Sequence, residues 1–127
     1  MESVHLSDRA VIALEGPDAR AFLQGLVTND LDRLAPDTGL YAALLAPQGK
    51  ILFDFLVAEG DGAVLLDCQA ASAEALVKKL KLYRLRAKIE IALRPQLSVY
   101  AGLTGRPAER AITYPDPRLA GRPVNPA

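Results

Sequence analysis

The sequence predicts an α+β domain in which two amphipathic helices pack on a mainly antiparallel sheet. Residues 41–68 read as three apolar runs separated by short polar breaks, which is typical of consecutive strands joined by turns. Residues 19–27 and 72–83 instead place apolar side chains three and four positions apart, the spacing of a helix face. The order of strand, helix, three strands, helix and further strands favours helices on one face of an antiparallel sheet.

The first predicted strand is the apolar run at residues 10–14, which ends before Gly16. Pro17 and Asp18 then favour the start of a helix, because proline suits the first helical position and an acid suits the positive end of the helix dipole. The apolar face of this helix consists of Ala19, Phe22, Leu23, Leu26 and Val27. Such a face packs on another element, most simply a sheet.

The three strands within residues 41–68 are predicted to form an antiparallel meander. Pro47 and Gly49 stand at the second and fourth positions of the first break, as type I turns prefer. Residues 59–62 form the second break. Strands joined by breaks this short pair with their neighbours in the chain.

A second helix is predicted from Ser72, with lysines mostly on its outer side. Its apolar positions are Ala73, Leu76, Val77, Leu80 and Tyr83. Residues 87–93 and 97–102 are predicted as further strands, and the proline-rich residues 113–127 as extended or disordered. We therefore place the domain core at residues 1–93. Residues 94–127 are expected to add a further strand and a tail that leads toward a missing C-terminal part.

The composition excludes several classes of function. The 127 residues are 50% apolar and carry 15 basic and 15 acidic side chains, so no global charge marks a nucleic-acid or membrane binder. One cysteine and one histidine supply neither an internal disulfide nor a recognisable metal site. The first residues show no targeting segment, and no apolar run reaches the roughly 18 residues of a membrane span. We expect a soluble, cytoplasmic protein without a metal.

Asp54 interrupts the apolar run ILFDFLV at residues 51–57. Because side chains alternate along a strand, both faces of this strand are apolar apart from that acid, and we expect a central, buried strand. A buried carboxylate costs free energy unless a partner compensates it, so Asp54 is expected to face a pocket, a domain interface or a buried partner. Its role is either structural, bonded to backbone amides or an arginine, or chemical, as a general base or a stabiliser of a developing cation.

Three stretches together resemble a known family. They are GPDARAFLQGLVTNDL, YAALLAPQGKILFDFLV and LYRLRAKIEI. In order and spacing, over residues 5–93, they are similar to the N-terminal portion of the folate-binding superfamily that includes the glycine cleavage T-protein, an aminomethyltransferase, and the YgfZ-like proteins of iron–sulfur cluster assembly. The third stretch is closer to the YgfZ-like branch. The resemblance implies a GcvT-like folate-binding domain and tetrahydrofolate as its cofactor.

The resemblance also implies site residues. Tyr41 matches a tyrosine that lines the family's folate channel, and Asp54 matches the acid that T-proteins use in aminomethyl transfer, which makes Asp54 the candidate catalytic residue. Asp67 stands where the family usually has asparagine, and an ionised aspartate only accepts hydrogen bonds. We therefore predict that the cofactor-binding residues are Tyr41, Asp54, Leu56 and Asp67.

Residues 78–88 hold six basic side chains in eleven positions. They form either a solvated helix end, with cations near the negative end of the dipole, or a local anion site. As an anion site, this stretch would take the polyglutamate tail of a folate or, less in keeping with the rest of the sequence, RNA phosphate. The candidate anion-binding residues are Lys78, Lys79, Lys81, Arg84 and Arg86.

The function predicted from the resemblance is that of a tetrahydrofolate-binding domain in a YgfZ-like protein of iron–sulfur cluster assembly or repair. Its partners would be folate and iron–sulfur assembly proteins, without a membrane or nucleic acid. The alternatives are a folate-dependent aminomethyltransferase and a folate-free fragment that forms a homodimer through exposed inter-domain surfaces. Cys68 does not match the reactive cysteine of YgfZ-like proteins and is predicted to be a small buried hydrophobe at a strand end.

Overall fold

The computed structural model describes residues 2–35, 38–60, 62–95, 97 and 99–104, with residues 2–5 and 100–104 described as backbone. The strands are β1 (Glu2–His5), β2 (Arg9–Glu15), β3 (Leu40–Leu45), β4 (Ile51–Gly60), β5 (Ala63–Gln69), β6 (Glu90–Leu93) and β7 (Tyr100–Thr104). The helices are α1 (Ala19–Gln24) and α2 (Ala70–Tyr83), with a short 3-10 helix at Leu31–Arg33. Over the described ranges, no helix has sufficient length and apolar character to cross a bilayer.

Five of the strands form one antiparallel sheet in the order β3-β4-β5-β2-β6. The predicted meander is confirmed, because β3, β4 and β5 are neighbours both in the chain and in the sheet. Glycines with positive φ lie at its two turns, Gly49 at 91° and Gly62 at 74°. Strand β1 pairs with β7 in a separate two-stranded sheet, which the sequence analysis did not predict.

The two helices cover one face of the five-stranded sheet, which confirms the predicted α+β architecture. Alternate side chains of the strands meet those of α1 and α2 in one apolar core. Its largest fully buried side chains include Phe55, Ile12, Leu14, Leu23, Leu66, Leu76 and Leu80. The opposite face holds a smaller cluster, in which Val11, Ala13 and Leu65 pack against Leu97 and Val99. We call this second face the open face, since neither helix covers it.

Helix α1 is shorter than predicted. It spans Ala19–Gln24, whereas the spacing of apolar residues predicts a helical face that extends to Val27. Val27 instead forms a β-bridge with Leu44 of the edge strand β3, so the chain leaves the helix to cover that edge. Asp18 does not cap the helix with its side chain; its carboxylate accepts a hydrogen bond from the Lys88 backbone N–H at 2.8 Å.

Helix α2 is confirmed and begins at Ala70, two residues before the predicted start. Its buried side chains face the sheet and are Ala73, Leu76 and Leu80. The strand predicted at residues 87–93 is β6, and the strand predicted at 97–102 lies slightly later, as β7. The proline-rich residues 113–127 lie outside the described residues.

Candidate functional site

Tyr41 and Asp54 form a hydrogen-bonded pair on the open face. The Tyr41 hydroxyl donates to Asp54 Oδ2 at 2.7 Å. Tyr41 lies opposite Leu56 in the β3–β4 pairing and Asp54 lies opposite Ala43, so the two polar side chains are diagonal neighbours on one side of the hairpin. Diagonal positions are within reach of an aromatic side chain. The predicted tyrosine and acid are therefore brought together by the register of two adjacent strands.

The outer edge of β3 is held by the segment that follows α1. The side-chain amide of Asn29 donates to the Tyr41 carbonyl at 2.9 Å. Thr28 bonds Ala43 twice: its N–H donates to the Ala43 carbonyl at 3.1 Å, and its Oγ1 accepts from the Ala43 N–H at 3.0 Å. These bonds fix the strand that presents the tyrosine and occupy backbone groups of an otherwise open sheet edge.

The predicted burial of Asp54 is wrong. Residues 55–58 of β4 are buried on both faces, but Asp54 is exposed and Ile51, nearer the start of the strand, is 63% exposed. The reason is that β4 pairs with β5 only from Leu56 onward, so the first half of β4 has β3 as its sole described strand neighbour. Alternation along one strand shows which side chains share a face, but not where a neighbouring strand ends.

A shallow cleft of about 190 Å³ opens where β4 leaves β5, and Asp54 lies on its wall. The other lining residues are Ile51, Leu52, Phe53, Cys68, Gln69 and Ser72. Pockets that enclose a small molecule usually measure roughly 300–1,000 Å³. The cleft is therefore large enough for one part of a cofactor of folate size, not for all of it.

Leu56 and Asp67 continue the site across the sheet. Leu56 lies opposite Tyr41 on β3 and opposite Asp67 on β5, so the three residues form one row over three strands. Leu56 is 4% exposed, so a buried apolar side chain lies between the polar side chains of Tyr41 and Asp67. All four residues predicted to bind the cofactor therefore share the open face. Their binding role remains a prediction.

Arg9, which the sequence analysis missed, holds Asp67. Its Nε donates to Asp67 Oδ1 at 2.8 Å, and its Nη2 donates to the Asp67 carbonyl oxygen at 2.8 Å. The two side chains are only 14% and 13% exposed. Water screens the attraction within such a shielded pair less than it does on the surface, and the second bond, to the Asp67 backbone, holds the guanidinium in place beside the carboxylate. An arginine is one of the predicted partners of Asp54, whereas the structure places an arginine beside Asp67.

Cys68 is buried, free and poorly suited to nucleophilic chemistry. Burial raises the pKa of its thiol to about 11, with smaller effects from Arg9, which lowers the pKa, and Asp67, which raises it. The Sγ atom donates to the Ala10 carbonyl oxygen at 3.7 Å. The predicted buried hydrophobe near a strand end is confirmed. In the described part of the chain, no group of three or more histidine, cysteine or acidic side chains is arranged to hold a metal ion.

The five candidate anion-binding residues lie away from the open face. Lys78, Lys79 and Lys81 belong to α2, which packs on the opposite face of the sheet. Lys79 lies over the Tyr83 ring at 5.6 Å, and Arg84 donates to the Ile89 carbonyl oxygen at 3.4 Å. The structure therefore does not bring these cations together with the Tyr41–Asp54 pair.

The chain is similar to mitochondrial proteins named iron–sulfur cluster assembly factor IBA57. It is 34% identical to the Mus musculus protein over 130 residues, which cover 91% of this chain and 36% of that protein. It is 35% identical to the Homo sapiens protein over 141 residues, which cover 91% and 39%. The homologue from Chaetomium globosum is 36% identical over 107 residues, which cover 69% and 24%. The chain thus spans well under half the length of these relatives.

These relatives confirm one prediction and contradict another. Their names confirm the predicted likeness to the iron–sulfur branch of the superfamily. The predicted cytoplasmic location is wrong, because the same relatives are named as mitochondrial proteins. That prediction depended on composition and on the first residues of the sequence, neither of which distinguishes the cytoplasm from the inside of an organelle.

The fold and the family follow from two further comparisons. The crystal structure of the glycine cleavage system aminomethyltransferase T from Bartonella henselae superposes with a TM-score of 0.65 at 24% identity, over 72% of this chain and 26% of that one. This likeness confirms the predicted GcvT-like fold. The family model described as the GCVT N-terminal domain matches residues 3–104, which is most of the chain. The chain belongs to the GCVT N-terminal domain family.

Proposed function

We propose that this chain is a tetrahydrofolate-binding domain of a protein that acts in iron–sulfur cluster assembly or repair. The observation that carries the proposal is the Tyr41–Asp54 hydrogen bond on the open face, at 2.7 Å. It orients the Asp54 carboxylate, which lines the 190 Å³ cleft, beside an exposed aromatic ring. Leu56, on the same strand as Asp54, and Asp67, on the next strand, extend the same surface to β5.

The side chains on the open face fit the chemistry of a folate. A pterin ring carries N–H groups that donate hydrogen bonds to carboxylate oxygens such as those of Asp54 or Asp67. Its flat face stacks on an aromatic ring such as that of Tyr41. Tetrahydrofolate, when bound, would supply a one-carbon carrier. The size of the cleft limits the fit to part of the cofactor, so the described residues would form one wall of the site.

The iron–sulfur role rests on the relatives. The mouse and human proteins are named iron–sulfur cluster assembly factors, and this chain matches a portion of each. We propose that the domain serves the same process and that iron–sulfur assembly proteins are its partners.

Calorimetric titration of the chain with tetrahydrofolate tests the cofactor. We expect one-to-one binding that Asp54→Asn and Tyr41→Phe each weaken by roughly tenfold, since each removes a hydrogen bond to or beside the ligand. Glu90→Gln is the matched control, because Glu90 is an exposed acid on strand β6 of the same sheet. Absence of binding to the wild-type chain, or equal weakening by Glu90→Gln, would refute the proposed site.

Aminomethyl transfer is the second candidate function, and the orientation of Asp54 by Tyr41 favours it. A carboxylate fixed by a phenol hydroxyl is suited to stabilising a cationic carbon–nitrogen centre. Here Asp54 would be the catalytic residue and tetrahydrofolate the acceptor of the one-carbon unit. A folate-free homodimer is the third candidate; it is favoured by the exposed apolar side chains of Leu45, Ile51 and Leu52 at one end of the β3–β4 hairpin.

A further inference from the structure

The C-terminal end of α2 forms an exposed surface of cations and leucines. We call it the α2-end surface and define it as Lys78, Lys81, Leu82, Leu85 and Arg86. Leu82 is 71% exposed and Leu85 is 91% exposed. A single exposed leucine is ordinary, but two within four residues, flanked by cations, form a continuous mixed surface.

The packing of α2 on the sheet does not explain why a leucine stands at the exposed position 82. Ala73, Leu76 and Leu80 already supply the buried side of α2. Lys81 and Leu82 follow Lys78 by three and four residues, so both lie beside it on the solvent side of the helix. Leu82 therefore adds no core contact that would explain an apolar side chain at this position.

The charge of the surface is one-sided. Residues 78–88 contain six basic residues and no acid, and the nearest acid earlier on α2 is Glu74, one turn before Lys78. The three ion pairs among the described residues lie elsewhere, at Arg9, Arg20 and Arg94. Lys78, Lys81 and Arg86 have none of these carboxylates as a partner. The surface is thus complementary to a negatively charged ligand.

We propose that the α2-end surface binds an acidic segment of a partner protein that carries apolar side chains between its carboxylates. A small anion such as a polyglutamate tail would pair with the cations and leave both leucines in water. A bilayer would cover the leucines, but two of them bury too little apolar surface for a stable membrane anchor. Protein interfaces, in contrast, often depend on a few apolar anchors surrounded by polar contacts.

The α2-end surface and the Tyr41–Asp54 pair lie on opposite sides of the sheet. Loss of one site therefore need not affect the other. A tetrahydrofolate titration without binding would therefore not contradict peptide binding at the α2-end surface. Absence of peptide binding would likewise not contradict the folate site.

Fluorescence anisotropy with two labelled synthetic peptides tests the proposal on the whole chain. One peptide repeats Glu-Glu-Leu-Leu, and the other has the same charge but repeats Glu-Glu-Ser-Ser. We expect the leucine peptide to bind roughly tenfold more tightly, and its affinity to fall by roughly tenfold in Leu82→Ser/Leu85→Ser and in Lys78→Glu/Lys81→Glu. All four positions are exposed, so circular dichroism should show an unchanged fold.

A double variant at a different surface provides the control. Lys50→Glu/Ile51→Ser removes one cation and one exposed apolar side chain at the β3–β4 turn, and it should bind the leucine peptide as the wild type does. Equal affinity for the two peptides would show that the leucines do not contribute to binding, which would contradict the proposal. Lack of binding to either peptide, or stronger binding to phosphatidylglycerol vesicles than to the leucine peptide, would overturn the proposal.

Discussion

Asp67 and Cys68 are adjacent on β5 but lie in opposite environments because side chains alternate along the strand. The acid points to the open face, where Arg9 donates one hydrogen bond to its carboxylate and one to its backbone carbonyl oxygen. The thiol points into the helix-covered core, where it is 1% exposed. The same pair of residues therefore illustrates how one strand supplies both a polar site and a packed core.

The raised pKa of Cys68 predicts a specific pH dependence of stability. An unfolded thiol ionises near pH 9.0, whereas the folded one ionises near 11, so the folded state holds the proton more tightly. The stabilisation is complete below pH 9.0 and is lost as the pH rises through 11. Urea unfolding across this range should show a steeper fall in the free energy of unfolding for the wild type than for Cys68→Ala.

Thiol labelling provides the control for this prediction. Ellman's reagent should react slowly with the native chain at neutral pH and rapidly once urea unfolds it, because the thiolate is the reactive form and the native thiol is buried. Parallel stability curves for the wild type and Cys68→Ala, or rapid labelling of the native chain, would show that the thiol is accessible.

Among the secondary-structure elements, the connection between β2 and α1 depends on one glycine. Gly16 has a φ of +124°, a region that side-chain-bearing residues rarely adopt, and a Cβ there would overlap the Lys88 carbonyl oxygen. The same contact zone includes hydrogen bonds between Asp18 and Lys88. This glycine therefore allows the turn before α1 to pack against the segment that enters β6.

Gly16→Ala should lower the free energy of unfolding by about 3 kcal/mol, from backbone strain together with the overlap. Gly25→Ala is the matched control, since Gly25 has an ordinary helical φ of −74° and an added Cβ would lie 3.7 Å from its nearest neighbour. Its effect should stay within about 0.5 kcal/mol. Urea unfolding measures both, and equal effects of the two substitutions would contradict this account of the turn.

The elements that could be predicted were those with local signals. The β3–β4–β5 meander has turn residues at Pro47 and Gly49 and a second break at residues 59–62, and it was predicted correctly. The end of α1 could not be predicted, because Val27 continues the helical spacing but pairs with a distant strand. The Arg9–Asp67 ion pair was missed for the same reason: it depends on the β2–β5 register, which joins residues 58 positions apart.

For the whole molecule, the unequal cover of the two sheet faces decides where a ligand can bind. Both helices lie on one face, while the described residues that pack on the open face, Leu97 and Val99, cover the part near β2 and β5. The β3–β4 end keeps Tyr41 and Asp54 exposed. The candidate site therefore follows from the topology as much as from the residues, and only the resemblance, not periodicity, associated it with a folate.

The two sheets differ in how many neighbouring strands each of their strands pairs with. Every residue of β2 pairs with β5, and from Ile12 onward also with β6 on its other side. Among the described strands, β1 pairs only with β7. Since an isolated two-stranded sheet is only marginally stable, the β1–β7 pair should open without unfolding the five-stranded sheet. This pair also crosses the predicted boundary after residue 93, which remains a prediction.

Hydrogen exchange followed by NMR tests this hierarchy. We expect amides of β2 to exchange only through global unfolding, and amides of β1 and β7 to exchange on the order of a hundredfold faster through local opening. Low urea should accelerate exchange in β2 more than in β1 and β7, because global unfolding exposes more surface than local opening does. Equal protection in both sheets, with the same urea dependence, would instead show that residues on the two sides of position 93 unfold as one cooperative unit, and the boundary would then have to be abandoned.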